Sequence, residues 1–496
     1  MNTKLDGSSA SQPISDLMPP VFNARMVVSG ASFTLFSYVV MRLLNLMITV
    51  LLARTLAPEG MGILAGALLA IEILDSIRDF GMRDALIYHR GSSSLHTTAF
   101  IMVMGISFLQ CAGLLIFCWL HWGITSEIAE ILPYLSLLFP LNALGTVQEA
   151  LTQKRLQLFR RGLSDVINGL SKLIVTAGLL AAGYGVWSLV YGLLFAAFAR
   201  TFYLSCVTRW QLGWPSFKDV ASLTRYGRHI ALMDILVPIR NRIDQLVILY
   251  FLGTAALGPY YIAARIPEIA VTGINTVLTR LLFPSFVIVA NDKARLAETY
   301  LVGLRYSSSA MLPASVGIAL TADLSVPIMF GEEWLSSVTL LQILALSGIP
   351  LTLGWAVGDV FKANGRPHVL TLITILEAVA ATLLVLSGMA LSRSIEMVAL
   401  AMFTSECIGT YVRFVIVKRD LSIRFSQLVS SVLPSLLSCV GMAAAVVVFR
   451  QFFQFGTVLE FAGCILIGGI SYCILLLVLD RSFRDDLVKL RTGVLQ

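Results

Sequence analysis

Apolar runs of about 20 residues, the length needed to cross a bilayer as a helix, recur from residue 29 to residue 479. That recurrence constrains the fold more than any motif. In hydrocarbon every backbone polar group must be satisfied within its own segment or in a closed barrel. A barrel would show short alternating segments, and this chain shows long continuous ones. Only 13% of the 496 residues are charged and 57% are hydrophobic, against roughly a quarter charged in soluble domains. The expected fold class is an all-α polytopic membrane protein of about fourteen transmembrane helices.

Charge placement supports that count. With the amino terminus placed in the cytoplasm, 25 of the 36 Lys and Arg residues fall in cytoplasmic segments or at the span ends beside them. Three, Arg54, Arg393 and Arg450, fall in outer loops, and the other eight lie within spans. This is the asymmetry of the positive-inside rule, and it puts both termini in the cytoplasm. The net charge of +7 is then a matter of topology and calls for no nucleic acid.

Several function classes lack their signatures. The seven cysteines all lie in expected spans, with no C-x-x-C pair, and read as small apolar packers. There is no H-E-x-x-H metal motif and no G-x-x-x-x-G-K-[ST] phosphate loop. No cofactor, no metal and no catalytic residue is expected, and the short outer loops leave no room for a catalytic domain.

An internal repeat organises the chain. At a constant offset of 196, Asn45 matches Asn241, Leu56 matches Leu252, Gly62 matches Gly258, Ala67 matches Ala263 and Glu72 matches Glu268. The offset equals six spans, which preserves orientation. The expected plan is a disordered tail at 1–28, a six-helix lobe at 29–207, a linker at 208–227, a second six-helix lobe at 228–416, an appended helix pair at 427–479 and a tail at 480–496. Repeats of this kind mark transporters, with the substrate path between the halves.

Charges inside the spans point to that path. The stretch DILVPIRNRIDQLVILYFLG (234–253) carries Arg240, Arg242 and Asp244. Exposed to lipid, the three would cost about 8–10 kcal/mol, and the apolar run that follows recovers only about 2–4 kcal/mol. They must therefore line a polar cavity or be paired. At 100° per residue, Arg240, Asp244, Asn241, Gln245 and Arg242 form one polar arc centred on Asn241. Arg240 and Asp244 are i,i+4 neighbours expected to neutralise each other in part. Arg242 has no such partner within its own helix and is expected to be the freer cation.

Arg42 and Asn45 share a face of the first span, which has no acid. Glu72 and Asp75 form one stripe in the second, and Arg265 and Glu268 sit in the eighth. Two roles are open for Glu72, Asp75, Asp244 and Glu268, cation coupling or structural pairing. Glu377 and Glu406 are expected to pair with each other or with Arg413. Lys172, Arg280, Arg305 and Glu149, near helix ends, are expected to snorkel. The last two spans carry no charge between Leu428 and Phe449 or between Phe461 and Leu479. A cationic core beside an uncharged pair suits an anionic head with a hydrocarbon tail.

Four stretches together resemble bacterial polysaccharide-repeat-unit flippases of the multidrug/oligosaccharidyl-lipid/polysaccharide exporter superfamily. They are LLARTLAPEGMGILAGALLAI with RDFGMRDALIYHR; ALTQKRLQLFRRGLSDVINGLSKLIVTAGLLAAGYGVWSLVYG; LGPYYIAARIPEIAVTGINTVLTRLLFPSF; and FGEEWLSSVTLLQILAL. The resemblance spans about residues 28–420. It implies two six-helix lobes that alternate access and a polyprenyl-diphosphate-linked oligosaccharide as substrate. The setting it implies is the bacterial inner membrane, in exopolysaccharide, capsule or lipopolysaccharide synthesis. Membrane lipid, a polysaccharide polymerase and export machinery are the implied partners. It also implies that Arg42, Asn45, Arg240, Asn241, Arg242 and Arg265 meet the substrate, and that the last two helices hold its tail in a groove. The rival readings are a cation-coupled drug exporter of the same superfamily, a membrane polymerase or ligase, and a channel or scaffold. On the leading reading, Arg42→Ala or Arg242→Ala abolishes polymer export while the protein stays in the membrane. Transport by reconstituted protein is expected to respond to a pH or sodium gradient.

Overall fold

In the computed structural model the described residues are 24–89, 92–120, 126–354, 356–452, 456–480 and 482–485, and all their regular structure is helical. The expected amino-terminal tail, up to residue 23, and the carboxy-terminal tail from 486 lie outside them. The first half contributes α1 (Ala24–Ala53), α2 (Pro58–Arg78), α3 (Met82–Tyr88), α4 (Ser93–Trp119), α5 (Ser126–Ser136), α6 (Leu138–Lys154), α7 (Leu158–Ala181) and α8 (Trp187–Val207). The second contributes α9 (Phe217–Leu252), α10 (Thr254–Val289), α11 (Lys293–Leu320), α12 (Ala322–Met329), α13 (Ser337–Leu346), α14 (Gly348–Gly354), α15 (Val357–Ala363), α16 (Pro367–Leu391) and α17 (Ile395–Leu421). The chain ends in α18 (Phe425–Phe452) and α19 (Thr457–Leu479).

Among the described residues, twelve helical stretches are long and apolar enough to cross a membrane, and α11 with α12, bent by 75°, makes a thirteenth. The fourteenth expected span lies in α9, whose arginines and aspartate keep it out of the apolar set. Some spans are broken. The fourth is α5 plus α6, and the tenth is α13, α14 and α15 in succession. α9 starts well before residue 228, inside the expected linker, because the Ser216 side chain accepts from the Lys218 amide at its N-terminus. It stops at Gly253, whose φ of 81° is open to glycine at no steric cost. Leucines, isoleucines and phenylalanines such as Leu109, Ile174, Phe202, Leu383 and Leu466 are exposed on the outside of the bundle, as lipid-facing positions must be.

The largest apolar core joins the two halves. It takes Ile48 and Leu52 from α1, Met61 and Leu64 from α2, Val247 and Ile248 from α9, Leu257 and Tyr260 from α10, and Trp334. It lies at the face poor in basic residues. There the repeat-related pair Gly62 and Gly258 lets α2 and α10 touch backbone to backbone. A Cβ on Gly62 would lie 1.8 Å from the Thr254 carbonyl oxygen, and one on Gly258 would lie 2.1 Å from the Pro58 oxygen. Pro58 and Thr254 are themselves separated by the repeat offset of 196, so the contact is reciprocal. The Trp334 indole donates to the Ala53 carbonyl at 2.9 Å, and Arg54 donates to the carbonyls of Ile328 and Met329. Together these contacts seal one face of the bundle. α18 and α19 pack on each other and on α11, away from this seam.

The seal makes a sharp prediction. Gly62→Ala or Gly258→Ala must push α2 and α10 apart until the added carbon reaches ordinary contact, 3.4 Å or more. Spin labels on the basic-poor ends of α2 and α10 should report a longer distance in either variant. An unchanged distance would show that the seal is not built on these two glycines.

Candidate functional site

Below the seal the two halves part around three cavities arranged in series. The first, about 710 Å³, is lined by Tyr38, Arg42, Asn45, Arg161, Asp165 and Arg280 among others. The second, about 260 Å³, shares Asn45 with it and adds Glu72, Asp75, Lys172, Tyr261 and Arg265. The third, about 560 Å³, shares Glu72 with the second and holds Arg240, Asn241, Arg242, Glu268, Thr272, Asn275, Glu377, Glu406 and Arg413. All six residues expected to meet substrate therefore line one chain of cavities. Glu72, Asp75 and Glu268 line it too, and Asp244 is not in its walls.

Two ion clusters wall the third cavity. Arg240 Nη2 lies 2.9 Å from Glu406 and 3.3 Å from Glu377, and Arg413 lies 2.6 Å from Glu377. Arg242 lies 3.1 Å from Glu72 and 3.3 Å from Glu268, and Arg265 lies 2.9 Å from Glu268. With Arg265 counted from the second cavity, each cluster sets two guanidinium groups against two carboxylates and is neutral as it stands. Glu72 and Glu268 are the repeat-related pair, one from each half, and both hold the same arginine. Leu46 occupies the repeat position of Arg242, so this central cation comes from the second half alone.

Two sequence expectations are corrected here. Arg240 does not pair with Asp244: it turns to Glu406 and Glu377, on α17 and α16. Asp244, only 6% exposed, accepts from Tyr260 Oη at 2.5 Å and from the Gln245 amide at 2.8 Å. Nor is Arg242 the freer cation, since its partners come from α2 and α10. Glu377 does pair with Arg413, and Asp75 pairs with Arg78 one turn away at 2.7 Å.

The first cavity is different. Arg42 and Arg280 approach the ring of Tyr38, their guanidinium carbons 5.1 and 5.2 Å from its centroid. Arg42 Nε also donates to the Tyr38 hydroxyl at 3.0 Å. Among the described residues no carboxylate lies within ion-pair distance of either arginine. An aromatic face attracts each cation by about 0.5–2 kcal/mol but cancels no charge. Lys172, one cavity further in, donates to Asn45 Oδ1 at 2.5 Å. This end of the path carries a cationic excess, with Arg42, Arg161 and Arg280 against the single carboxylate of Asp165 in the cavity wall.

Arg280 and Lys172 were expected to snorkel, and the structure places both at the path. Glu149, placed with them, is buried, 3.0 Å from Arg200, 3.4 Å from Arg83 and 3.9 Å from Arg161. Arg305 lies 3.8 Å from Asp480. A signal for Arg280 was available in the sequence. Arg265, Glu268, Thr272, Asn275 and Arg280 make one polar stripe along α10, at i, i+3, i+7, i+10 and i+15, and all five line the cavities. A separate apolar groove of about 350 Å³ runs between α10, α11, α18 and α19, past Ile266, Pro313, Met442, Val446 and Tyr472.

Comparison with known proteins places this architecture. The model of a family described as polysaccharide biosynthesis protein matches residues 51–339. The chain is 27% identical over 351 residues to the lipopolysaccharide biosynthesis protein WzxC of Escherichia coli (strain K12), covering 68% of this chain and 70% of that one. It is 25% identical over 476 residues to the succinoglycan biosynthesis transport protein ExoT of Rhizobium meliloti (strain 1021), covering 94% and 95%. Among solved structures, the lipid II flippase MurJ in an inward closed conformation superposes with a TM-score of 0.75 at 15% identity, covering 93% of this chain and all of that one. With more than half of its length inside the family match, this chain belongs to the polysaccharide biosynthesis protein family.

Proposed function

We propose that this protein flips a polyprenyl-diphosphate-linked oligosaccharide repeat unit across the bacterial inner membrane, from the cytoplasmic to the periplasmic leaflet, for the synthesis of a surface polysaccharide. The observation that carries this reading is the pairing of a cavity carrying an excess of cations with an apolar groove at the appended helices. Relatives named for lipopolysaccharide biosynthesis and succinoglycan transport, and a lipid II flippase of the same fold, support it. A transporter needs no catalytic group, and the chain is read as one rather than as an enzyme. The cation-coupled drug exporter is the weaker reading, because relatives at this level of identity carry polysaccharide names.

Arg42 and Arg280 would hold the diphosphate. Guanidinium–phosphate bonds are charge-assisted and can be bidentate, and both cations already lie at one ring. The glycan would extend into the neighbouring cavities, where Asn45, Asn241 and Asn275 offer hydrogen-bonding amides, and the prenyl chain would lie in the apolar groove. The two halves act as lobes that alternate access, with both termini in the cytoplasm. A polymerase and export machinery would take over the product.

The ion network sorts into staple and latch. Glu377, its side chain 4% exposed, holds two arginines. Removing a partner from such a buried cluster costs about 3–5 kcal/mol. The Glu72 side chain is 50% exposed and its only ion-pair partner among the described residues is Arg242, a pairing on the order of 1 kcal/mol at most. Glu268 is held additionally by Arg265, so when the lobes part the Arg242–Glu72 contact breaks first. A phosphate arriving at Arg242 could take over the place that Glu72 leaves.

Two outcomes test this. In a strain lacking the endogenous transporter, Arg42→Ala and Arg280→Ala should each abolish polymer export with the protein still in the membrane, and normal polymer from both would remove the anion site. Glu377→Gln should lower the thermal stability of the detergent-solubilised protein by the equivalent of about 3–5 kcal/mol. Glu72→Gln should change it by about 1 kcal/mol or less yet alter transport rate. Equal stability losses in the two variants would erase the distinction.

A further inference from the structure

A second cationic site lies outside the transport path. On the basic-rich face a cleft of about 570 Å³ is lined by Ser93 and His96 at the start of α4, Arg155 in the turn after α6, and Arg209, Trp210 and Gln211 after α8. The positive-inside rule accounts for basic residues on this face, but not for a cleft with fixed walls or for the difference between these arginines and their neighbours. Lys154 spends its ammonium on the carbonyls of Leu86 and His89, and Arg160 donates to Gln157 and to the Val207 carbonyl. Among the described residues, Arg155 and Arg209 have no carboxylate within ion-pair distance, and neither guanidinium donates to a protein acceptor. His96 Nε2, in the same wall, is buried without a hydrogen-bond partner.

The walls are built. The segment after α8 is strapped to the first turn of α4. The Gly213 amide donates to Thr97 Oγ1 at 2.8 Å, and the Ser216 amide donates to Thr98 Oγ1 at 3.0 Å. Ser94 Oγ donates to Asp219 at 2.6 Å. Gly213 is pressed so close that a Cβ there would lie 2.8 Å from the backbone of Ser93 and Ser94. Trp210 packs edge-on to His96 and tilted to Phe100, with ring centroids 6.4 and 5.7 Å away. The α4 N-terminus, capped by Ser92 accepting from the Leu95 amide, adds its positive dipole end.

The occupant follows from what borders the cleft. On the same strap Trp214 and Phe217 are 91% and 94% exposed, covered by none of the described residues. In a membrane protein, bare aromatic side chains at a helix boundary sit at the headgroup level. A cleft with two uncommitted arginines at that level meets lipid phosphates. We propose that this cleft binds the phosphate of an anionic phospholipid from the cytoplasmic leaflet. The strap connects the two halves of the chain, so a bound lipid would brace the connection that lobe movement must flex. The assignment is independent of which substrate the central cavities carry.

The test uses the full-length protein and native mass spectrometry with added phosphatidylglycerol or phosphatidylcholine. At about 1 kcal/mol per basic residue near an anionic surface, the double variant R155Q/R209Q should bind its tightest phosphatidylglycerol on the order of 30-fold more weakly. R155K/R209K, which keeps the charge, should retain most of the affinity, separating lost binding from misfolding. Equal phosphatidylglycerol binding by wild type and R155Q/R209Q would overturn the proposal, as would a wild type that shows no preference over phosphatidylcholine. If millimolar inorganic phosphate stabilises wild type but not the double variant while phosphatidylglycerol does neither, the ligand is a soluble phosphate and the lipid assignment falls.

Discussion

The structure turns on one arginine held by two glutamates that are the same residue in the two halves of the repeat. Glu72 and Glu268, separated by the offset of 196, meet at Arg242. An unpaired charge inside a membrane protein is expensive; Arg242 keeps Glu268 from its own half and gains Glu72 only where the two halves meet. The consequence spreads outward. Arg265 steadies Glu268, Arg240 turns away to Glu406 and Glu377, and Arg413 completes the set. The ion clusters around the third cavity are polar without carrying net charge once Arg265 of the second cavity is included. That is how this stretch of the polar path can exist inside an oily bundle without an outside ion to balance it.

The same pseudo-symmetry acts at the opposite end by a different force. Gly62 and Gly258 bring α2 and α10 into backbone contact, with no side chain between them, and an apolar core closes over that contact. One end of the α2–α10 seam is closed by packing and the other by ion pairs. Packing is short-ranged and all-or-none, because a radial gap of 0.5–1 Å already forfeits a quarter to a half of the dispersion well. Ion pairs decay slowly with distance and can exchange partners. A seam with a brittle end and an exchangeable end is suited to rocking, with the exchangeable end beside the polar cavities.

Much of this was legible in the sequence, and the parts that were not share one cause. Apolar run length fixed the helical class, and the offset of 196 marked the residues that meet at both ends of the seam. Pairing was not legible. A helical wheel sees neighbours one turn apart, so it offered Asp244 to Arg240. The structure gives Arg240 a partner 166 residues away, and gives Asp244 the hydroxyl of Tyr260 from the next helix. Position near a helix end made Arg280 look like a snorkelling side chain, although its stripe with Arg265 and Asn275 pointed inward. The expected linker turned helical early because Ser216 caps the start of α9 and Asp219 lies in its first turn.

A flippase must also let go. A site built only of arginines would hold a diphosphate too well, since each charge-assisted bond to phosphate contributes about 1.5–3 kcal/mol, and release would become limiting. The arrangement here sets a cationic excess, around Arg42 and Arg280, beside a balanced network. On the proposed function, a phosphate moving from the first cavity toward the third would gain Arg242 only as it displaced Glu72, and it would then face the carboxylates of Glu268, Glu377 and Glu406. Attraction falls and repulsion rises along the path. The same rule governs conduction through selective pores, where binding must be strong enough for entry and weak enough for exit. On this view the four carboxylates of the third cavity are as necessary to transport as the arginines they neutralise, because they keep the anion from settling there.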